Sequence, residues 1–273
     1  MKKIKMAFVG GGNMARALVT GLVKDTRYSI RVADPGEAAR AQIAALGDIR
    51  VFTDNEDAIA EADCVVFAVK PQIMGQVCRH EASAIHKHQP LVVSIAAGIE
   101  CAHLTGWLDG YSRIVRVMPN TPALIGAGAT GLFAMENVSA ADRELTAALF
   151  ASVGLNVWLE EEALIDVVTC LSGSGPAYFF YMLETMEQTA INMGLAASDA
   201  RKLARQTALG AARMALQEDG ELAELRRCVT SPGGTTEAAL KMFASQGMPA
   251  TVAAAMQAAA TRASEMADEF GKK

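Results

Sequence analysis

Residues 3–15 read KIKMAFVGGGNMA, an apolar run that ends in three glycines and leads into residues suited to a helix start. The run fits a buried strand, and Gly10-Gly11-Gly12-Asn13-Met14-Ala15 matches G-x-G-x-x-A between that strand and an amphipathic stretch over 13–24. Glycines there permit a tight turn and let backbone approach a pyrophosphate, whose charge faces the free N–H groups of the helix. Asp34 closes the next apolar segment, YSIRVAD, about 20 residues on, where such folds meet the adenosine ribose. An ordinary glycine-rich turn would need no such carboxylate, so the stretch reads as the opening of a dinucleotide-binding β-α-β unit.

The alternation continues outward. DCVVFAVK, PLVVSIAAG and SRIVRVMPN read as strands, with helices over 36–46, 71–87 and 100–109 between them. CVVFAV is apolar throughout, as in a parallel strand covered on both faces. GATGLFAM and GLNVWLE, flanking a helix from about 139 to 151, read as the last strands. After Glu160 no strand is expected, and helices are predicted over 163–171, 176–194, 198–218, 232–245 and 248–269. The fold class is α/β: an N-terminal Rossmann-type doubly wound parallel sheet, residues 1–161, followed by an all-α domain, residues 162–273.

A chain of 273 residues, 51% hydrophobic, is long enough for two globular domains. A net charge of -5 argues against a nucleic-acid partner. Five scattered cysteines without a CxxC pair suggest neither a zinc ribbon nor a disulfide framework, and fit the cytoplasm. The opening MKKIKMAFVGGG is too short for a secretory signal, and no segment is apolar for the length of a membrane span. His86 and His88 have no acidic or thiol partner nearby in sequence, so no metal site is expected.

Further cofactor candidates lie at the other strand ends: Ala68, Val69, Lys70 and Pro71, then Ala96, Ala97 and Gly98, then Asn120 within MPNTP. Asn55 joins this set.

GGGNMA, MPNTPA at 118–123, SGSGPAY at 172–178 and VTSPGGTTEAAL at 229–240 occur in the order and spacing of the pyrroline-5-carboxylate reductase family, which the chain resembles over nearly its whole length. The resemblance implies NAD(P)H-dependent reduction of the cyclic imine 1-pyrroline-5-carboxylate to L-proline, the last step of proline biosynthesis, usually with NADPH. It also implies a helical dimerisation domain, an active site between the domains, and homodimers that assemble into decamers.

The chemistry of the residues agrees with an imine substrate. Reduction of a ketone benefits from a His or Lys acid, yet Ile165 to Ala200 contains no Lys, Arg or His. A protonated imine already carries the charge that attracts hydride. In Ser231-Pro232-Gly233-Gly234-Thr235-Thr236, Ser231 is the expected N-cap and Pro232 the expected first helical residue, with the following N–H groups open to a carboxylate. Gly233 and Gly234 admit a small ring, and a hydroxyl of Thr235 or Thr236 can meet its nitrogen; similarity to the family favours Thr236 as the catalytic contact. A well-capped helix without ligand accounts for the motif equally well on its own. Ser172 and Ser174 are either substrate contacts or part of a close helix crossing, and the resemblance favours the substrate pocket.

Two departures stand out. A carboxylate at Asp34 favours the free ribose hydroxyl of NAD(H) over the phosphate of NADP(H), although Arg31 and Arg40 are near enough in sequence to offset it. Glu221-Leu222 and Arg226-Arg227-Cys228 stand where many family members have His-Pro and Arg-Asp-x.

Overall fold

Strand β1 (Ile4–Val9) lies inside an eight-stranded sheet ordered β3-β2-β1-β4-β5-β6-β7-β8. Beside it run β2 (Tyr28–Ala33) and β4 (Cys64–Phe67), both parallel, with Val9 paired to Ala33 on one side and Phe67 on the other. Then come β3 (Ile49–Phe52), β5 (Leu91–Ser94) and β6 (Ile114–Met118), also parallel. β7 (Gly128–Ala134) is antiparallel to β6, and β8 (Gly154–Trp158) is parallel to β7. The first six strands have the Rossmann order, whose direction reverses between β1 and β4. The computed structural model describes residues 3–217 and 220–271; residue 218, the last of the helix expected over 198–218, lies outside them.

The pleat explains why β1 is a continuous apolar run. Met6 and Phe8 point to one face and Ala7 and Val9 to the other, all four fully buried. The first face is packed by α1 (Asn13–Leu22), α2 (Glu37–Ala44) and α6 (Ala140–Ala151). The second is packed by α3 (Asn55–Ile59), α4 (Pro71–His88), α5 (Cys101–Trp107) and Phe270, near the end of the last helix (Met248–Gly271). The sequence pattern predicts neither β3 nor α3: β3 is a four-residue edge strand, IRVF, with an exposed Arg50, and so lacks the apolar signature of a central strand.

The chain forms two compact units, Met1–Ser174 with Ala258–Lys273, and Gly175–Gln257. The first unit thus runs past the boundary expected at 161/162 and takes back the last residues. The helix expected over 163–171 is α7 (Leu164–Val168) followed by a π-helical turn, Thr169–Gly173. It packs on β7, where Gly131 leaves room for Val168; a Cβ there would stand 2.9 Å from both Val168 methyls. The returning segment is held because Phe270 and Met266 enter the core of the sheet's second face.

The second unit contains α8 (Gly175–Asn192), α9 (Ala197–Gln217), α10 (Leu222–Cys228), α11 (Thr235–Ser245) and the first part of α12 (Met248–Gly271). α8 and α9 pack together and are joined by an ion pair, Arg201 Nε to Glu187 Oε1 at 3.0 Å. α10 is a further element that the sequence pattern does not predict; with seven residues and none buried, it has no apolar stripe to betray it.

Helix α6 is pinned to the sheet by charge. Arg113, just before β6, forks onto Asp142 at 2.9 and 2.6 Å, and Ser139 completes a capping box with the same carboxylate. The guanidinium, aided by Ser139, holds the Asp142 carboxyl below the usual carboxylate range. A lowered folded value stabilises the fold above the ordinary carboxylate pKa near 4, and this contribution is lost as the pH falls through the lowered value. Asp142→Asn is therefore expected to cost about 2 kcal/mol at neutral pH, moderated by the open side of Arg113. Urea midpoints at neutral pH and at about pH 3 should show the difference shrinking in acid.

Candidate active site

The glycine turn has the geometry that a pyrophosphate needs. Gly10 has φ +99°, and a Cβ there would lie 2.8 Å from the Ala68 carbonyl oxygen and 3.1 Å from Val69 Cγ1, so only glycine lets β1 turn beside the end of β4. Gly11 donates its N–H to Asp34 Oδ2 at 2.8 Å. Gly12 caps α1, and a Cβ there would meet nothing within 4 Å. The first helical bond is Arg16 N–H to the Gly12 carbonyl, which leaves the N–H groups of Asn13, Met14 and Ala15 as the orphan donors of α1. An open cradle, a helix start and a glycine in place of a side chain together fit a dinucleotide's phosphates.

Asp34 follows β2 as expected, and it also braces the backbone. Oδ2 accepts from Gly11 and Oδ1 from the Gly36 N–H at 2.7 Å, so one carboxylate ties the phosphate turn to the loop after β2. The two arginines near it diverge. Arg40 Nη1 donates to the carbonyls of Asp34 and Pro35 at 2.7 and 2.9 Å, whereas Arg31 reaches the Ala60 carbonyl and lies over the Phe52 ring. Only Arg40 therefore keeps its charge at the strand end. Asn55, the first residue of α3, donates its amide to the buried Glu81 at 3.1 Å.

At the ends of β4, β5 and β6 the expected loops are present, with Lys70 capping α4 and Pro71 as its first residue. Gly98, at φ +69°, lies against α12, where a Cβ would stand 3.0 Å from Met266 Cβ. Within this unit, Ala97 and Gly98 share a cavity of about 280 Å³ with Thr169, Ser174, Ala259, Arg262, Ala263 and Met266. The loop expected at the cofactor and one of the two serines expected at the substrate are thus brought together. The α12 residues gave no sequence signal, because their contact with the loop spans more than half the chain. Ser172 is engaged within the backbone instead. Its hydroxyl bonds back to the Val168 carbonyl at 3.1 Å, and its carbonyl accepts from Asn120 Nδ2 at 2.9 Å. Asn120 Oδ1 accepts the Ala129 N–H at 2.9 Å, so this buried amide braces the π-helical turn rather than lying open to a cofactor.

An ion triad centred on a buried arginine, with two partly exposed carboxylates, underlies the cavity's two loop walls. Arg116 on β6, 2% exposed, donates to Glu162 Oε1 at 3.0 Å and to Asp166 at 3.2 Å. Glu162 Oε1 also accepts the Cys101 N–H at 2.7 Å. The cavity has no group suited to general-acid work: its one charged lining residue, Arg262, stays protonated and is paired with Glu265 and Glu269. Nor do buried thiols serve, since burial pushes Cys78 up to about 12 and raises Cys64 and Cys101 further. His86 is engaged elsewhere, its Nε2 2.9 Å from the Leu108 carbonyl.

In the second unit the TSPGG segment differs from expectation. Ser231 is not the N-cap and Pro232 is not helical: α11 begins at Thr235 with Gly234 as its cap. Residues 231–234 instead form a β-turn, closed by Gly234 N–H to the Ser231 carbonyl at 3.0 Å, with proline second and a positive-φ glycine, Gly233 at +71°, third. Gly233 donates to Glu237 Oε2 at 2.7 Å, and that bond, followed by Lys241, lowers the Glu237 pKa. Gly233 and Gly234 thus spend their N–H groups internally. The donors left at the helix start are Thr235, Thr236 and Glu237. Thr236 is half-buried and Thr235 exposed.

Sheet order, cradle and acid-free cavity define a dinucleotide-dependent oxidoreductase. Comparison with known proteins narrows this class. Residues 5–98 match the family described as NADP oxidoreductase coenzyme F420-dependent, and residues 162–266 match pyrroline-5-carboxylate reductase dimerisation. Pyrroline-5-carboxylate reductase of Pseudomonas aeruginosa is 49% identical over 100% of both chains. The structure of a pyrroline-5-carboxylate reductase from Coxiella burnetii superposes with TM-score 0.90 at 39% identity, covering 96% of this chain and 97% of that one. The Plasmodium falciparum enzyme, solved with NADP bound, gives TM-score 0.85 at 28% identity over 98% and 99%. The chain belongs to the pyrroline-5-carboxylate reductase family.

Gly12→Ala tests the cradle. Its methyl meets no protein atom, so the melting temperature should move by only a few degrees while NADPH binding, followed by nucleotide fluorescence, weakens about tenfold or more.

Proposed function

We propose that this protein reduces the imine bond of 1-pyrroline-5-carboxylate to give L-proline, drawing hydride from NAD(P)H, as the last step of proline biosynthesis. The observation that carries the assignment is a dinucleotide cradle and a cavity beside the expected cofactor loop with no dissociable acid among its lining residues. A ketone would need such an acid; an imine nitrogen takes its proton from water before reduction. When bound, the reduced nicotinamide supplies the hydride.

The chain's own residues bind and orient. Gly12, with the N–H groups of Asn13, Met14 and Ala15, holds the pyrophosphate, while the loops at Ala68–Pro71 and Ala96–Gly98 flank the rest of the cofactor. Thr235 and Thr236 present main-chain donors to the substrate carboxylate, and the Thr236 hydroxyl is assigned to the ring nitrogen. Ser174 is assigned to the substrate pocket. Purified protein should oxidise NAD(P)H only when 1-pyrroline-5-carboxylate is present. Thr236→Ala should lower kcat about tenfold while leaving the cofactor Kd within about twofold; an unchanged kcat would remove Thr236 from this role.

Both dinucleotides are assigned as cofactors, with Asp34 tilting the balance toward NADH. Its carboxylate stands at the ribose end, and Arg40 spends one nitrogen on the neighbouring carbonyls. Asp34→Asn is expected to raise the ratio of kcat/KM for NADPH over NADH about tenfold in paired steady-state assays.

A homodimer, assembling further into a decamer, is the proposed quaternary state. The family match over 162–266, described as dimerisation, supports the dimer, as do Phe179, Phe180 and Tyr181, each more than 60% exposed on one turn of α8. No described helix is long and apolar enough to cross a membrane. All five cysteines are free thiols, in keeping with the proposed cytoplasmic location.

A further inference from the structure

We propose that the cavity at Ala97 and Gly98 takes the nicotinamide, and that Arg116, acting through Glu162 and Asp166, is a positioning residue that sets the spacing between its two loop walls. This rests on the reductase reading above. One wall, Ala97 and Gly98, leads directly into the start of α5, whose Cys101 N–H is accepted by Glu162. The other wall, Thr169 and Ser174, continues from α7, where Asp166 takes the second guanidinium nitrogen. A single buried side chain on β6 therefore holds both walls, one through each Nη atom.

Several features separate this triad from ordinary core ballast. A charge buried in a sheet is costly to desolvate, and an apolar residue of similar volume would often serve stability equally well. The Arg116 Nε is buried without an acceptor among the described residues, so the guanidinium is not placed to satisfy all its own donors. Both Nη atoms instead reach across to elements distant in sequence, at separations of 46 and 50 residues. Asn120, four residues along the same chain direction, adds a second brace to the π-helical turn through the Ser172 carbonyl. The planar fork fixes a distance as well as a contact, which a lysine ammonium cannot do at two sites. None of these residues touches the glycine cradle through any described bond, so the positioning acts on the nicotinamide end of the site and leaves the phosphate end alone.

The experiment is a comparison of wild type with Arg116→Met, Arg116→Lys, Glu162→Gln and Asp166→Asn, each read for cofactor Kd, kcat, KM and the primary isotope effect with nicotinamide deuterated at the transferred hydrogen. A positioning role predicts that Arg116→Met lowers kcat at least about tenfold and raises the isotope effect, with NADPH Kd within about threefold of wild type. Arg116→Lys should recover only part of kcat. Should Arg116→Met fail to fold, the near-isosteric Glu162→Gln and Asp166→Asn decide, each expected to lower kcat and raise the isotope effect in the same sense. Variants that melt earlier yet keep the wild-type kcat and isotope effect would overturn the proposal and leave the triad a stabilising device. An inactive wild type that still binds NADPH would instead reject the substrate assignment, a separate outcome.

Discussion

At Gly10 the backbone of one strand passes so close to the end of the next that no side chain fits between them, and much of the site follows from that approach. The turn leads into α1 with the helix's first N–H groups unpaired, and it brings Gly11 within reach of Asp34. The carboxylate then fastens the loop after β2 through Gly36. The ends of β1, β2 and β4 thereby meet at one edge, β1 against β4 by backbone proximity and β1 to the loop after β2 through Asp34. Stiffness of this kind suits a ligand whose charge must be met by fixed dipoles, because donors already aimed need little reorganisation on binding.

The chemistry at that edge is defined as much by what the side chains do not offer as by what they do. Around the cavity at Ala97 and Gly98, hydroxyls, small residues and main-chain amides recur, while its charged lining residue, Arg262, is locked in ion pairs. Such a surface can orient a substrate that arrives already activated, and it has little to give one that must be activated on the enzyme. Glu237, the carboxylate held at the Gly233 amide, gives the helix start in the second unit a charge of its own at that place.

How much was legible in the sequence depended on whether the physical signal was local. β1, the glycine turn and Asp34 could be read directly, because a buried central strand and a phosphate turn each impose residue types at short spacing. β3 and α10 escaped because a short edge strand and a fully exposed seven-residue helix bury too little to impose a pattern. Pro232 misled because proline suits a helix's first residue and a turn's second position alike; Gly233, which takes a positive φ, settles it as a turn. Asn120 and Ser172 are expected from the sequence as cofactor and substrate contacts, but their hydrogen bond to each other depends on a long-range fold, as does the whole of the Arg116 triad.

The return of the last segment to the first unit has a consequence for synthesis. Phe270 and Met266 belong to the core over β4 and β5, yet they leave the ribosome after all of α8 to α11. At synthesis rates of about 5–20 residues per second, the nearly complete sheet waits several seconds with part of that face uncovered. The dinucleotide unit, although β1 opens it, is finished only after α12 has emerged.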